Sequence, residues 1–144
     1  MIKVICVGKL KEQYLKDGIN DYLNRINKYH KLEIIELNDS NIDKEKELIL
    51  KNINTKDYII TLDIEGNNLS STSLAEKLDK TFITNSNITF IIGGSDGIHN
   101  EVKKISNYSL SFSKLTFPHG LFRLILLEQI YRSFKILNHE SYHK

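Results

Sequence analysis

Ile88-Thr89-Phe90-Ile91-Ile92-Gly93-Gly94-Ser95-Asp96-Gly97 decides the fold. A short apolar run rich in β-branched residues, closed by glycines, reads as a strand buried on both faces. Such strands belong to parallel sheets in which strands alternate with helices. The chain on either side repeats that alternation.

Upstream, residues 2–7 (Ile-Lys-Val-Ile-Cys-Val) read as a strand ending at Gly8. Residues 12–29 switch to helical spacing, with Leu15, Ile19, Tyr22, Leu23 and Ile26 on one stripe. Residues 32–37 read as a second strand and 43–53 as a charged helix. Residues 57–63 read as a third strand, and Ser70 or Ser71 can cap a helix running to about residue 84. Downstream, residues 98–106 read as a short helix and 108–113 as a fifth strand. Pro118 stands where a last helix over 120–137 can begin. The expectation is one α/β domain over residues 1–144, with a mostly parallel sheet and helices on both faces.

The last helix carries Leu121, Phe122, Leu124, Ile125, Leu126 and Leu127, apolar nearly all round. Covering a sheet takes only one such face. The other face meets either more of the same chain or a second copy of it.

Composition narrows the class. The chain has 144 residues, 40% hydrophobic and 26% charged, which excludes disorder and needs no disulfide or structural metal to make a core. No apolar run approaches the roughly 20 residues of a membrane span, and the start is too strand-like for a secretory signal. The single cysteine, Cys6, fits a reducing cytoplasm and reads as a buried small hydrophobe. Net charge is +2, but it is +4 over residues 1–31, −5 over 32–66 and +4 over 99–144. Basic ends folded together would suit an anionic partner such as nucleic acid; scattered over a surface they would mean nothing.

Ligands of open parallel sheets bind at the carboxyl ends of the strands. Four of the seven glycines fall there, after strands three and four. The 93–97 run matches neither the dinucleotide fingerprint nor a phosphate-binding loop, so a small-molecule pocket is the expectation without a named ligand. His139-Glu140-Ser141-Tyr142-His143 spells a zinc-protease pattern, but it lies past the expected helix end with no later residue to supply a third ligand, so no metal is expected. The tail Tyr142-His143-Lys144 offers an aromatic ring, an imidazole and a cation, which together can stack on a base, move a proton and neutralise phosphate. A frayed chain end is the competing reading. His30 reads as a solvated turn residue and His99 as an exposed residue in a helix's first turn.

Several segments together resemble one family. They are Ile2 through Lys11; Leu62-Asp63-Ile64-Glu65-Gly66; Phe90 through Gly97; Leu110 through His119; and Glu128 through Arg132 with Tyr142-His143-Lys144. Over essentially the whole chain they are similar to the RlmH (YbeA-type) proteins of the SPOUT methyltransferase class. The resemblance implies a SPOUT fold with a C-terminal trefoil knot, working as a homodimer. It implies methyl transfer from S-adenosylmethionine to N3 of a pseudouridine in helix 69 of 23S rRNA, on the assembled ribosome. It assigns Leu62, Gly93 and Phe112, Ser113, Lys114, Leu115, Thr116 and Phe117 to the cofactor pocket, and brings Tyr142 and His143 to the active site across a dimer interface. Lys144 stands where some relatives have Arg, and the stretch around 38–44 is shorter than in relatives.

On that reading His143 is the candidate base, directly or through a water. Lys9, Lys11, Arg123, Arg132 and Lys144 are candidate RNA contacts, with Arg132 equally open to a structural ion pair. His119 would order the loop around Pro118. The competing class is a nucleotide- or RNA-binding α/β module without catalysis. It accounts for the basic ends and the glycine loops but not for the tail.

Overall fold

The computed structural model describes residues 1–144. Five strands, β1 (Ile2–Val7), β2 (Leu32–Leu37), β3 (Tyr58–Asn68), β4 (Ile88–Ile92) and β5 (Tyr108–Ser111), pair in the order β2-β1-β4-β3-β5, every pair parallel. The helices are α1 (Gln13–Asn27), α2 (Ile42–Lys51), α3 (Ser71–Thr84), α4 (Asn100–Ile105) and α5 (His119–Leu137).

Side-chain alternation along the strands builds two cores. Ile2, Val4 and Cys6 of β1, with Ile88, Phe90 and Ile92 of β4, pack under α1, α3 and α5. Ile5, Val7 and Ile91 face the other way, against Ile49 of α2 and Val102 of α4. β4 lies at the centre of the sheet and all five of its residues are buried. Ser70 caps α3 by accepting from the Ser73 N–H at 3.1 Å.

Three features differ from the sequence expectation. β3 continues to Asn68, five residues beyond the expected end. Leu62 and Asn67 both register with Leu110, so residues 63–66 bow out of the ladder before it resumes. The Asn67 and Asn68 amides then donate to the Ser109 and Ser111 carbonyls at 3.1 and 3.0 Å. Second, His30 is not a solvated turn residue. Its ring lies 4.4 Å from that of Phe82 and 5.9 Å from that of Phe134, and burial pushes its pKa below the ordinary value. Third, His99 caps α4, accepting from the Glu101 N–H at 3.0 Å, with Nε2 3.1 Å from Asp43.

Arg123 is also drawn inward. It lies on the core side of α5, with its side chain 3% exposed. Nη1 donates to Glu36 Oε2 at 2.6 Å and Nη2 to the Gly8 carbonyl at 3.0 Å. The same carboxylate oxygen accepts from the Leu10 N–H at 3.2 Å. This corrects the expectation of an RNA contact: a guanidinium enclosed by its own chain is not available to a phosphate. It ties α5 to the ends of β1 and β2 instead. Cys6 is fully buried and its thiol is pushed up to about 11 by burial, as expected of a structural residue.

Two stability outcomes follow. Glu36→Gln leaves a buried cation short of its counter-charge, whereas Arg123→Met leaves a carboxylate that is 38% exposed and open to water. The urea midpoint should therefore fall further for Glu36→Gln, by about 3 kcal/mol, than for Arg123→Met, at about 1–2 kcal/mol. The reverse order would deny the brace its role. His30 is harder to protonate folded than unfolded, so the unfolded chain binds more protons below the ordinary pKa of 6.5. Its contribution is full above that pH and is lost as pH falls through it. His30→Leu should remove part of the stability loss between about pH 7.5 and about pH 5.5, measured by denaturant titration.

Candidate active site

The carboxyl ends of β3, β4 and β5 open into a cavity of about 360 Å³. Small-molecule sites are commonly of this size or somewhat larger. Its apolar wall comes from Leu62, Ile92 and Leu110 at the strand ends and from three phenylalanines. The Phe122 ring stands 5.2 Å from that of Phe112 and 5.9 Å from that of Phe117, the latter pair stacked.

Glycine gives the cavity its opposite side. A Cβ on Gly93 would come within 2.5 Å of the Gly97 carbonyl oxygen, so only glycine lets the loop double back so tightly. The loop then exposes backbone to the cavity through Gly93, Gly94 and Gly97. Seven of the lining residues are polar or charged. Asp63 Oδ1 accepts from the Glu65 N–H at 3.1 Å, and Oδ2 lies 3.1 Å from Lys103 Nζ. Burial works to raise the Asp63 pKa, but that N–H and the Lys103 ammonium together hold it below its ordinary value.

Leu62, Gly93, Phe112, Ser113, Leu115, Thr116 and Phe117 all line this cavity. Lys114 does not: it is exposed and lies outside the wall. Twelve further residues line it that were not among the expected pocket residues, Asp63, Ile98, Lys103, His119 and Phe122 among them. Asp63 lay in a segment already singled out, and Phe122 follows Pro118 at helical spacing. Ile98 and Lys103 gave no local signal, because only the sheet order brings α4 beside β3.

The tail lies elsewhere. None of residues 139–144 lines the cavity. Tyr142 folds back on its own α5, its hydroxyl donating to Glu128 Oε1 at 3.2 Å and its ring edge-on to Tyr131 at 5.0 Å. Arg132 makes the ion pair that the sequence left open, with Nε 2.9 Å and Nη2 2.5 Å from Glu128 Oε1. It also covers the Tyr142 ring at 4.8 Å and reaches His143 Nδ1 at 3.1 Å. Burial first, then the neighbouring Tyr22 hydroxyl and the Glu128 carboxylate, raise the Tyr142 pKa. The zinc-like pattern is not helical. α5 ends at Leu137, His139 has φ 55°, and Glu140 bonds Lys135 and Tyr29 at 2.9 and 2.8 Å. Lys9, Lys11 and Lys144 are exposed. No helix is long and apolar enough to cross a membrane.

A family profile described as "Predicted SPOUT methyltransferase" matches residues 1–143. The chain belongs to the SPOUT methyltransferase family. Among curated SPOUT relatives, the ribosomal RNA large subunit methyltransferase H of Clostridium botulinum (strain Alaska E43) is 50% identical, over 99% of both chains. That of Acetivibrio thermocellus is 46% identical, also over 99% of both. Both alignments run over 157 positions, so these relatives hold residues that this chain lacks. Among solved structures, a tRNA methyltransferase from Aquifex aeolicus superposes with a TM-score of 0.56 at 15% identity. It covers 91% of this chain and 69% of that one, and shares the SPOUT fold.

A Cβ at position 93 meets backbone, which cannot swing aside. Gly93→Ala should keep the far-ultraviolet circular dichroism of the fold but lose S-adenosylmethionine binding by calorimetry. Lys114→Ala should leave that affinity within about twofold, as expected of a surface change. Unchanged binding in Gly93→Ala would remove the glycine loop from the site.

Proposed function

We propose that this chain is an rRNA methyltransferase that uses S-adenosylmethionine to methylate N3 of a pseudouridine in helix 69 of 23S rRNA on the assembled ribosome. The observation that carries the reading is the cavity at the strand ends, in a chain 46–50% identical over its full length to enzymes named for large-subunit rRNA methylation. The residues present suit an adenosyl group. Three phenylalanines offer ring faces for a planar base, Gly93 lets backbone come close, and Asp63 offers an anchored acceptor. When bound, S-adenosylmethionine supplies an electrophilic methyl group on a sulfonium.

The chain's own residues do the rest. Phe112, Phe117 and Phe122 exclude water from the reacting end, and the loops at 93–97 and 112–117 fix the approach, so positioning supplies much of the rate. The imide N3–H must lose its proton, and His143 takes it, directly or through a water. Lys9, Lys11 and Lys144 contact phosphates, which orient the RNA without reading its sequence.

A homodimer belongs to this reading, because a single chain keeps its tail away from its own cavity. The outward face of α5 suits such a contact. Leu121 is 36% exposed, and Leu124 and Ile125 are half-buried beside it. Tyr142 and His143 of the partner subunit would then complete each site. The trefoil knot and a cytoplasmic setting belong to the same reading.

The test is incubation with labelled S-adenosylmethionine and ribosomes lacking the modification, with the labelled nucleotide mapped. Label at N3 of one pseudouridine in helix 69 is expected. No label in large-subunit rRNA would favour a binding module without catalysis. His143→Ala should bind the cofactor normally while turnover falls by about 10²–10⁴-fold, the usual worth of a positioned acid–base group. Full turnover in that variant would eliminate the base assignment.

A further inference from the structure

The chain has seven tyrosines. Six of them face another aromatic ring or a cation within 6.3 Å, as Tyr29 faces Tyr131 and Tyr108 faces Lys77. Tyr14 is the exception. It is 69% exposed in the first turn of α1, and its ring meets neither. Single exposed apolar side chains are ordinary on a surface, so the ring draws its meaning from the charges around it.

Its position is fixed by the fold. A Cβ on Gly120 would come 2.8 Å from Leu15 and 2.9 Å from Leu10. The stretch from Leu10 to Leu15 therefore lies against the start of α5, one residue from His119 in the cavity wall. The Leu10 N–H is held by Glu36, itself paired with the buried Arg123, so this stretch is a braced loop and not a loose one. Lys9 and Lys11 within it are exposed, and neither is paired with a carboxylate. Of the nearby acids, Asp17 accepts from Gln13 at 2.8 Å, and Glu12 precedes the helix.

We infer that Tyr14, flanked by Lys9 and Lys11, is a stacking platform for an unpaired base of the RNA substrate. An aromatic face stacks on any base, and ammonium groups beside it meet the phosphates on either side of that base. Two unpaired cations favour this polyanion over a second copy of the chain, whose apolar α5 face would offer them no counter-charge. The platform has a job distinct from that of the lysines. Stacking holds a splayed nucleotide, while the lysines hold its backbone. The inference rests on the rRNA reading above.

The experiment compares Tyr14→Ala, Tyr14→Phe and Tyr14→Trp with the unaltered protein. Affinity for ribosomes lacking the modification is measured by co-sedimentation at fixed ionic strength. Cofactor affinity by calorimetry and oligomeric state by sedimentation equilibrium are measured alongside. Loss of one base–aromatic stack should weaken ribosome binding of Tyr14→Ala by about 5–150-fold. Tyr14→Phe and Tyr14→Trp keep a ring and should bind like the unaltered protein, and all variants should match it in cofactor affinity and oligomeric state. Over a salt series, Lys9→Ala and Lys11→Ala should each reduce the slope of log affinity by about one, and Tyr14→Ala should leave it unchanged. Undiminished ribosome binding by Tyr14→Ala, or a change in its oligomeric state, overturns the platform. Unaltered protein that labels no ribosome overturns the rRNA reading, and the platform's partner with it.

Discussion

Backbones meet at the rim of this sheet with no room for a side chain between them. A Cβ on Gly66 would lie 2.8 Å from the Ser109 carbonyl, and one on Gly93 would lie 2.5 Å from that of Gly97. Close approach at these points lets β3 bow out at 63–66, return to pair with β5, and leave a cavity where the chain would otherwise have closed on itself. Everything proposed about chemistry depends on that opening. The three phenylalanines can form a wall because the glycine loop opposite them takes up so little volume.

The second constraint is electrostatic. A guanidinium with its side chain 3% exposed is tolerated only when it is paired and hydrogen-bonded. Arg123 satisfies this by drawing Glu36 and the Gly8 carbonyl to one point, where the Leu10 N–H joins them. α5 is thereby fixed to the ends of β1 and β2, while its N-terminal turn supplies His119 and Phe122 to the cavity. Buried ion pairs of this kind add little net stability over an apolar replacement. What the pair does supply is register between the helix that forms the cavity wall and the loop that carries Lys9 and Lys11.

These two constraints explain which parts of the molecule could be read from its sequence. Apolar period is a local property, so β1, β2 and β4 end where their runs of Ile, Val and Leu end, and Ser70 announces α3. The segments around Leu62, Gly93 and Phe112–Phe117 could be placed at strand ends, and the parallel sheet gathers them. Arg123 was misread because its partner is 87 positions away. On a helix that is apolar nearly all round, nothing local distinguishes an inward arginine from an outward one. His30 was misread for the same reason, since Phe82 and Phe134 come from two other helices. Lys103 reaches Asp63 only because β3 lies between β4 and β5 in the sheet, an order that spacing along the chain does not encode.

The tail, to which the proposed reading gives the base, is held by few contacts. Tyr142 and His143 rest on largely buried partners: a 3.2 Å hydrogen bond to Glu128, an edge-on contact with Tyr131, and Arg132, which covers the Tyr142 ring and reaches His143. A neutral hydrogen bond contributes about 0.5–1.5 kcal/mol net, and an aromatic pair a similar amount. Arg132 keeps two hydrogen bonds to Glu128 whether or not the tail stays. Moving the last three residues therefore leaves the Arg132–Glu128 pair intact and uncovers only the outer face of Tyr131 at the edge of the core. A segment with those properties can exchange its own helix for a neighbour's cavity at small cost. A residue such as Arg123, locked under the sheet rim, cannot.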